Sequence, residues 1–128
     1  MNQLQNLLHD GLIATGHVHK CAIIRRQDYA LRASSHGFKP SQDEVEELTN
    51  CFKHLNSVRE DGIEFEDKPY TAIRADKQSI YATHNKDGLV IVRTCVYVVV
   101  ATYLEHMFPS VCVEAVEKLG EFLREKDQ

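Results

Sequence analysis

Tryptophan is absent from this 128-residue chain, so no binding site in it can rest on indole stacking or on an indole N–H donor. The three prolines and six glycines stand singly and form no Pro/Gly-rich linker. With no repeat or low-complexity tract either, no domain boundary can be drawn. Residues 1–128 read as one domain, long enough to bury a core without disulfides or metal. Cysteine occurs four times, at 21, 51, 95 and 112, never as CxxC and each time in or beside an apolar run. That spacing argues against a disulfide frame and predicts buried, reduced thiols. No apolar run approaches the ~20 residues of a membrane-spanning helix. The N-terminus shows no basic stretch ahead of an apolar one, so no secretory signal is expected. Positive charge is not in excess: the net charge is −4, so the molecule as a whole is not built to coat nucleic acid or membrane. Local basic patches remain compatible with that number. P-loop, HExxH and GxSxG motifs are all missing. A soluble intracellular protein is expected, without a cofactor or metal.

What the chain does contain is periodicity. In "LQNLLHDGLI", Leu4, Leu7, Leu8 and Leu12 share one helical face, and Gly16 offers a stop. "VHKCAIIRR" and "YALRAS" read as two strands joined around Gln27 and Asp28. Ser41 with Glu44 forms a capping box that opens a second helix, with Val45, Leu48, Phe52 and Leu55 as its buried stripe. From Gly62, five strand-like runs follow: "GIEF", "YTAIRA", "SIYATH", "LVIVRT" and "VYVVVATY". Their connections are too short for crossover helices, which predicts an antiparallel meander. Pro109 and Ser110 open a final helix. The fold class is α+β with one central antiparallel sheet.

The final helix carries an oddity. Gly120 lies mid-helix, where glycine costs roughly 0.8–1.0 kcal/mol relative to alanine. It falls within the apolar stripe of Cys112, Val116, Leu119 and Leu123, and Gly11 is placed similarly in the first helix. Both glycines predict close backbone approach of the terminal helices to each other or to the sheet. Phe122 sits about 100° round from the stripe and points to a flank. It either finishes the core or lines an apolar groove between the terminal helices. His17 and His19, spaced i, i+2, suggest a metal pair only weakly without a third ligand at recognisable spacing. The reading is therefore not an enzyme.

The element order, together with "GFKPSQDEVEELTNCF" and the ending "PSVCVEAVEKLGEFLREK", resembles profilin, the small regulator of the actin cytoskeleton. The resemblance covers essentially the whole chain and is greatest for the divergent fourth, testis-type branch, with its runs like "VATY" and "PSVCVEA". It implies a profilin-like single domain with the terminal helices on one sheet face and a further helix on the other. It also implies a monomeric, cytoplasmic, cytoskeleton-associated protein with a place in spermatogenesis. Profilins bind monomeric actin on one face, proline-rich segments between the terminal helices, and phosphoinositides through basic residues.

Carried over residue by residue, the polyproline groove falls on Leu4, Leu7, Leu31 and Phe122. Leucines stand there for aromatics, and Phe122 lacks a tyrosine's hydroxyl. The groove keeps apolar area and loses most of its donors, so proline-rich partners should bind weakly or not at all. The actin face falls on Arg59, Glu60, Arg74 and Arg93. Arg59 and Glu60 replace an apolar anchor with charges that must be desolvated on docking, which weakens the case for actin. Anionic lipid needs less geometry, and its candidate ligands are Arg74, Lys77, Lys86 and Arg93 on the meander and Lys118, Arg124 and Lys126 on the last helix, with Arg25 and Arg26 adjoining the second turn. Acidic phospholipid is therefore the favoured partner. Two alternatives stand beside it: an orthodox actin-monomer-binding profilin, and a protein-interaction adaptor using the terminal-helix groove.

Overall fold

The structure, a computed structural model, describes residues 3–126. Four helices, α1 (Gln3–Gly11), α2 (Gln42–Asn50), α3 (Leu55–Asp61) and α4 (Pro109–Lys126), accompany seven strands. The strands are β1 (Lys20–Arg25), β2 (Ala30–Ser34), β3 (Ile63–Phe65), β4 (Lys68–Ala75), β5 (Ser79–His84), β6 (Asp87–Arg93) and β7 (Tyr97–Tyr103). They form one antiparallel sheet in the order β2-β1-β7-β6-β5-β4-β3.

Period-2 alternation divides the apolar residues of this sheet between two cores. Leu89, Ile91, Val98 and Val100 face one way and pack with Val45, Leu48, Phe52 and Val58 beneath α2 and α3. Val90, Val92, Val99 and Ala101 face the other way, under Leu8 of α1 and Val116, Leu119 and Leu123 of α4. Because both faces are covered, β6 and β7 read as unbroken apolar runs rather than alternating ones. The terminal helices lie on one face, as the resemblance implied.

The second helix departs from its expected course. Its capping box is present: Ser41 Oγ accepts from the Glu44 N–H at 3.2 Å, and the Ser41 N–H donates to Glu44 Oε1 at 3.0 Å. The helix stops at Asn50, however, tightens to a 3-10 turn over Cys51–Lys53, and leaves helical space at His54 (φ −132°, ψ 49°). Leu55 then starts a separate helix, so the expected stripe from Val45 to Leu55 spans α2, the 3-10 turn and α3. Gly62 closes α3 with φ +76°, and a Cβ there would run into the carbonyl oxygen of Tyr70. Only glycine fits both constraints.

Two further expectations need correction. Cys21, Cys51 and Cys112 are buried, and burial pushes each thiol up to about 12. Cys95 is exposed, because it sits in the β6–β7 turn where one apolar run has ended and the next has not begun. Gly120 does mark close approach, but to the sheet at Val92. Gly11 does not, since a Cβ there would meet nothing within 4 Å.

Candidate functional site

The residues singled out above fall mainly into a groove, a surface beside α3 and a set of basic side chains. The first is a groove of about 570 Å³ between α1 and α4. Leu7, Val111, Ala115, Leu119 and Phe122 give it an apolar lining, and Phe122 is 38% exposed. Leu7 and Phe122 line it together. Leu4 packs at the edge of the core, and Leu31, on edge strand β2, lies outside the lining. The polar groups around the groove are already engaged. Thr15 Oγ1 donates to the Leu12 carbonyl at 2.7 Å, and Lys118 pairs with Glu114 at 2.9 Å. Neither a tyrosine hydroxyl nor an indole N–H lines it, so the groove grips by area rather than by directed donors.

The second surface runs from α3 to β4. Arg59 is a brace rather than a free charge: its Nε and Nη2 donate to the Ala75 carbonyl at 3.0 and 2.6 Å, and Nη1 donates to Asn56. This ties α3 to the end of β4. Glu60 is exposed beside it. Next to Arg74 stands Ile73, 67% exposed at a bulge in β4. Strict alternation in "YTAIRA" puts Ile73 on the face opposite Tyr70, and that signal was available in the sequence. Arg74 pairs with Asp76 at 2.9 Å and lies over the Tyr81 ring, 5.1 Å from its centroid.

Behind Arg74 a polar network stitches α4 to the sheet. Ser79 Oγ donates to Glu117 Oε2 at 2.8 Å, and the Tyr81 hydroxyl donates to the same oxygen. Burial first, and the Glu117 acceptor second, push the Tyr81 phenol up to about 12.

The third group is the basic residues, which do not form one patch. Lys86 lies in the β5–β6 turn, paired with Glu105 at 3.7 Å, while Arg93 ends β6. Strand β6 separates them by about 20 Å at the usual rise per residue. Lys77 is exposed in the β4–β5 turn, and Lys126 lies over Phe122 at 5.4 Å. Arg93 and Arg124 come together with Arg26 at the β6–β7 turn, along a cleft of about 240 Å³ that Gln78, Thr94 and Cys95 complete. Sequence spacing gave no sign of this grouping, because the three arginines come from β1's exit, β6 and α4.

No metal pair forms at His17. Its Nδ1 accepts from the Phe108 N–H at 3.0 Å, and its ring stacks on Phe108 with centroids 4.8 Å apart. Among the described residues no group of three or more His, Cys, Asp or Glu could hold a metal ion, and no helix is long and apolar enough to cross a membrane.

Comparison with known proteins covers the whole of this architecture. The profilin family model matches residues 2–128. Profilin-4 of Mus musculus is 47% identical and Profilin-4 of Bos taurus 46% identical, each over 98% of both chains. The crystal structure of Acanthamoeba castellanii profilin II superposes with a TM-score of 0.88 at 31% identity, covering 97% of this chain and 98% of that one.

Proposed function

The chain belongs to the profilin family, and from that premise we propose that it regulates the cytoskeleton as a binding protein, not an enzyme, whose favoured ligand is acidic phospholipid. Phosphoinositides are the preferred headgroups, and binding of monomeric actin and of proline-rich segments is weak or lost.

The observation that carries this reading is the distribution of ion pairs. Of the candidate cations on the meander and the last helix, Arg74, Lys86 and Lys118 are paired with carboxylates, whereas Lys77, Arg93, Arg124 and Lys126 have no acidic partner among the described residues. Unneutralised cations are what a phosphate-rich surface rewards, at about 1 kcal/mol for each one near the membrane. The groove, by contrast, has little left to donate to polyproline carbonyls. The α3 surface offers actin a guanidinium already committed to Ala75.

Titrating the purified protein against phosphoinositide liposomes, a proline-rich peptide and monomeric actin in one buffer at physiological salt tests the ranking. Liposome binding should be measurable and should fall steeply as salt rises, since exposed charges are screened beyond about 8 Å. Reversal of Arg74 and Arg93 to glutamate should weaken it, with more of the loss due to Arg93. Strong actin sequestration, or liposome binding indifferent to salt, overturns the reading. A second reading, actin-monomer binding, is favoured by Ile73, an exposed apolar residue flanked by Arg74 on the α3–β4 surface.

A further inference from the structure

The terminal helices are joined by more than the apolar packing of their stripes. Beyond α1 the chain turns through Gly16 (φ +79°) and brings His17 against the start of α4. His17 Nδ1 accepts the Phe108 N–H at 3.0 Å, and the two rings stack 10° from parallel with centroids 4.8 Å apart. Both partners are tied back towards their own helices. The His17 N–H donates to Thr15 Oγ1 at 3.2 Å, and that hydroxyl donates in turn to the Leu12 carbonyl. The Phe108 carbonyl accepts from the Val111 and Cys112 N–H groups at 3.1 and 3.2 Å, which are opening bonds of α4. Thr15 and Val111 both line the groove between the helices. The His17–Phe108 contact therefore spans one end of it.

The chemistry of this contact allows it in one protonation state only. An amide N–H needs an imidazole nitrogen with a free lone pair, so the bonded ring is neutral and carries its proton on Nε2. A second proton goes to Nδ1, and the contact then sets one N–H against another. It also places a positive charge at the N-terminal end of α4, where the helix dipole disfavours cations. The stack survives that step, because a cationic ring is also attracted to an aromatic face. Protonation thus frees the Phe108 amide while the rings stay together. The ionisable groups on the surrounding elements are His9 and Asp10 on α1, His19 and Lys20 at β1, Tyr103 at the end of β7, and Glu105 and His106 in the β7–α4 turn. Asp10 pairs with His9, Lys20 with Glu66 and Glu105 with Lys86, while the Tyr103 ring lies against Gly88. The first turn of α4 carries no acid. Among the described residues the bonded partner of the His17 ring is a main-chain N–H, not a side-chain charge.

We infer that His17 and Phe108 form a proton-sensitive clasp at one end of the terminal-helix groove. With the ring neutral, the clasp holds the first turn of α4 to the segment that leaves α1. With the ring charged, the Phe108 amide turns to water, and Thr15 and Val111 are no longer held in register across the groove end. The device is local, since it rests on one exposed hydrogen bond while the helices stay seated through Leu8, Leu12, Val116 and Leu119. Imidazole is the side chain whose charge changes between pH 5 and 8, which sets the window of the test. The inference goes beyond the phospholipid reading and holds whichever partner the groove takes.

Nuclear magnetic resonance on the isotope-labelled full chain, titrated from pH 8 to pH 5 at fixed ionic strength, tests it. The Phe108 amide should move with the same midpoint as the His17 ring, and the Thr15 and Val111 amides should move with it. Hydrogen exchange at Phe108, corrected for its intrinsic pH dependence, should lose about fivefold of its protection at the acid end, the factor that one neutral hydrogen bond gives. Two variants separate the acceptor from the stack. His17→Asn sets an uncharged amide oxygen close to the place of Nδ1, so it should keep the clasp and abolish the pH step. His17→Phe keeps a ring on Phe108 without an acceptor, so it should show the acid-end behaviour at every pH.

A Phe108 amide that stays still while the His17 ring titrates overturns the clasp. So does an acid step that survives in His17→Asn, because the proton is then taken up elsewhere, as at His106 or Glu105 in the same turn. Movement confined to Phe108, with Thr15 and Val111 unchanged, overturns the link to the groove. The wild-type titration decides the first and third outcomes without either variant, so a variant that fails to fold leaves the clasp open to refutation.

Discussion

Gly120 and Val92 meet where α4 lies on β6: a Cβ on Gly120 would stand 2.5 Å from Val92 Cγ1. Val92 is fully buried and stiff about χ1, so it cannot turn aside. The glycine's cost in helix propensity is offset by the seating of the helix. Gly120→Leu should therefore lower stability by about 1–3 kcal/mol despite its better propensity. Gly120→Ala should be tolerated better once Val92→Ala makes room. Thermal unfolding of the single and double variants measures both, and an unchanged or raised melting temperature for Gly120→Leu defeats the close-contact account.

Gly11 is the control. A side chain there meets open space, so Gly11→Ala should raise stability by up to about 1 kcal/mol through propensity and a less flexible unfolded chain. A loss of stability would mean that α1 is seated differently.

The Tyr81–Glu117 contact predicts an alkaline dependence. Tyr81 titrates at about 12 in the folded chain against an ordinary 10, so the folded state holds its proton more tightly than the unfolded state does. The stabilisation is complete below pH 10 and is lost as pH rises towards 12. Glu117→Gln should lower the Tyr81 midpoint and flatten that decline. Ultraviolet titration of tyrosinate, with Tyr81→Phe to identify the component, reads it directly. A midpoint indifferent to Glu117→Gln would leave burial as the sole cause.

Thiol labelling should count one fast cysteine. Cys95 is exposed, while Cys21, Cys51 and Cys112 are buried with thiols pushed up to about 12. The thiolate is the reactive form, so those three should react only as the protein unfolds. A Cys95→Ser variant that still shows a fast thiol would contradict this arrangement.

In the terminal-helix groove, Phe122→Tyr restores one hydroxyl donor beside Leu7. A decaproline peptide should bind wild type poorly and the variant better, by the factor of a few that one neutral hydrogen bond of about 1 kcal/mol gives. Adding Leu31→Trp should contribute less, because Leu31 lies outside the groove lining. Tight wild-type binding in a fluorescence titration would show that area alone suffices.

Most of the fold was legible because it is written in short-range pattern. Alternation placed Val90 and Ile91 on opposite cores, the Ser41 and Glu44 pair marked a helix start, and Gly120 marked a close contact. The break at His54 was not legible, since the apolar stripe runs through it without a proline or glycine to announce it. Turn residues misled as well: Cys95 neighbours apolar runs in sequence but stands in solvent at their junction. The candidate sites were the least legible part. Side chains such as Arg26, Arg93 and Arg124 are 31 to 98 positions apart and meet only through sheet order, which local pattern does not encode.

Sheet order also fixes when these surfaces come into being. β7 is made after the other six strands yet sits between β1 and β6, hydrogen-bonded to both. On a ribosome the first two strands must therefore wait for their neighbour until about residue 103 has emerged, and α4 follows still later. Closing a sheet across such a sequence separation is slow and leaves apolar edges exposed meanwhile. The groove and the arginine cleft both need α4, so a nascent chain offers neither to a ligand. Those two surfaces therefore arrive in one step, with the last helix, whereas the α3–β4 surface needs no residue beyond the sheet.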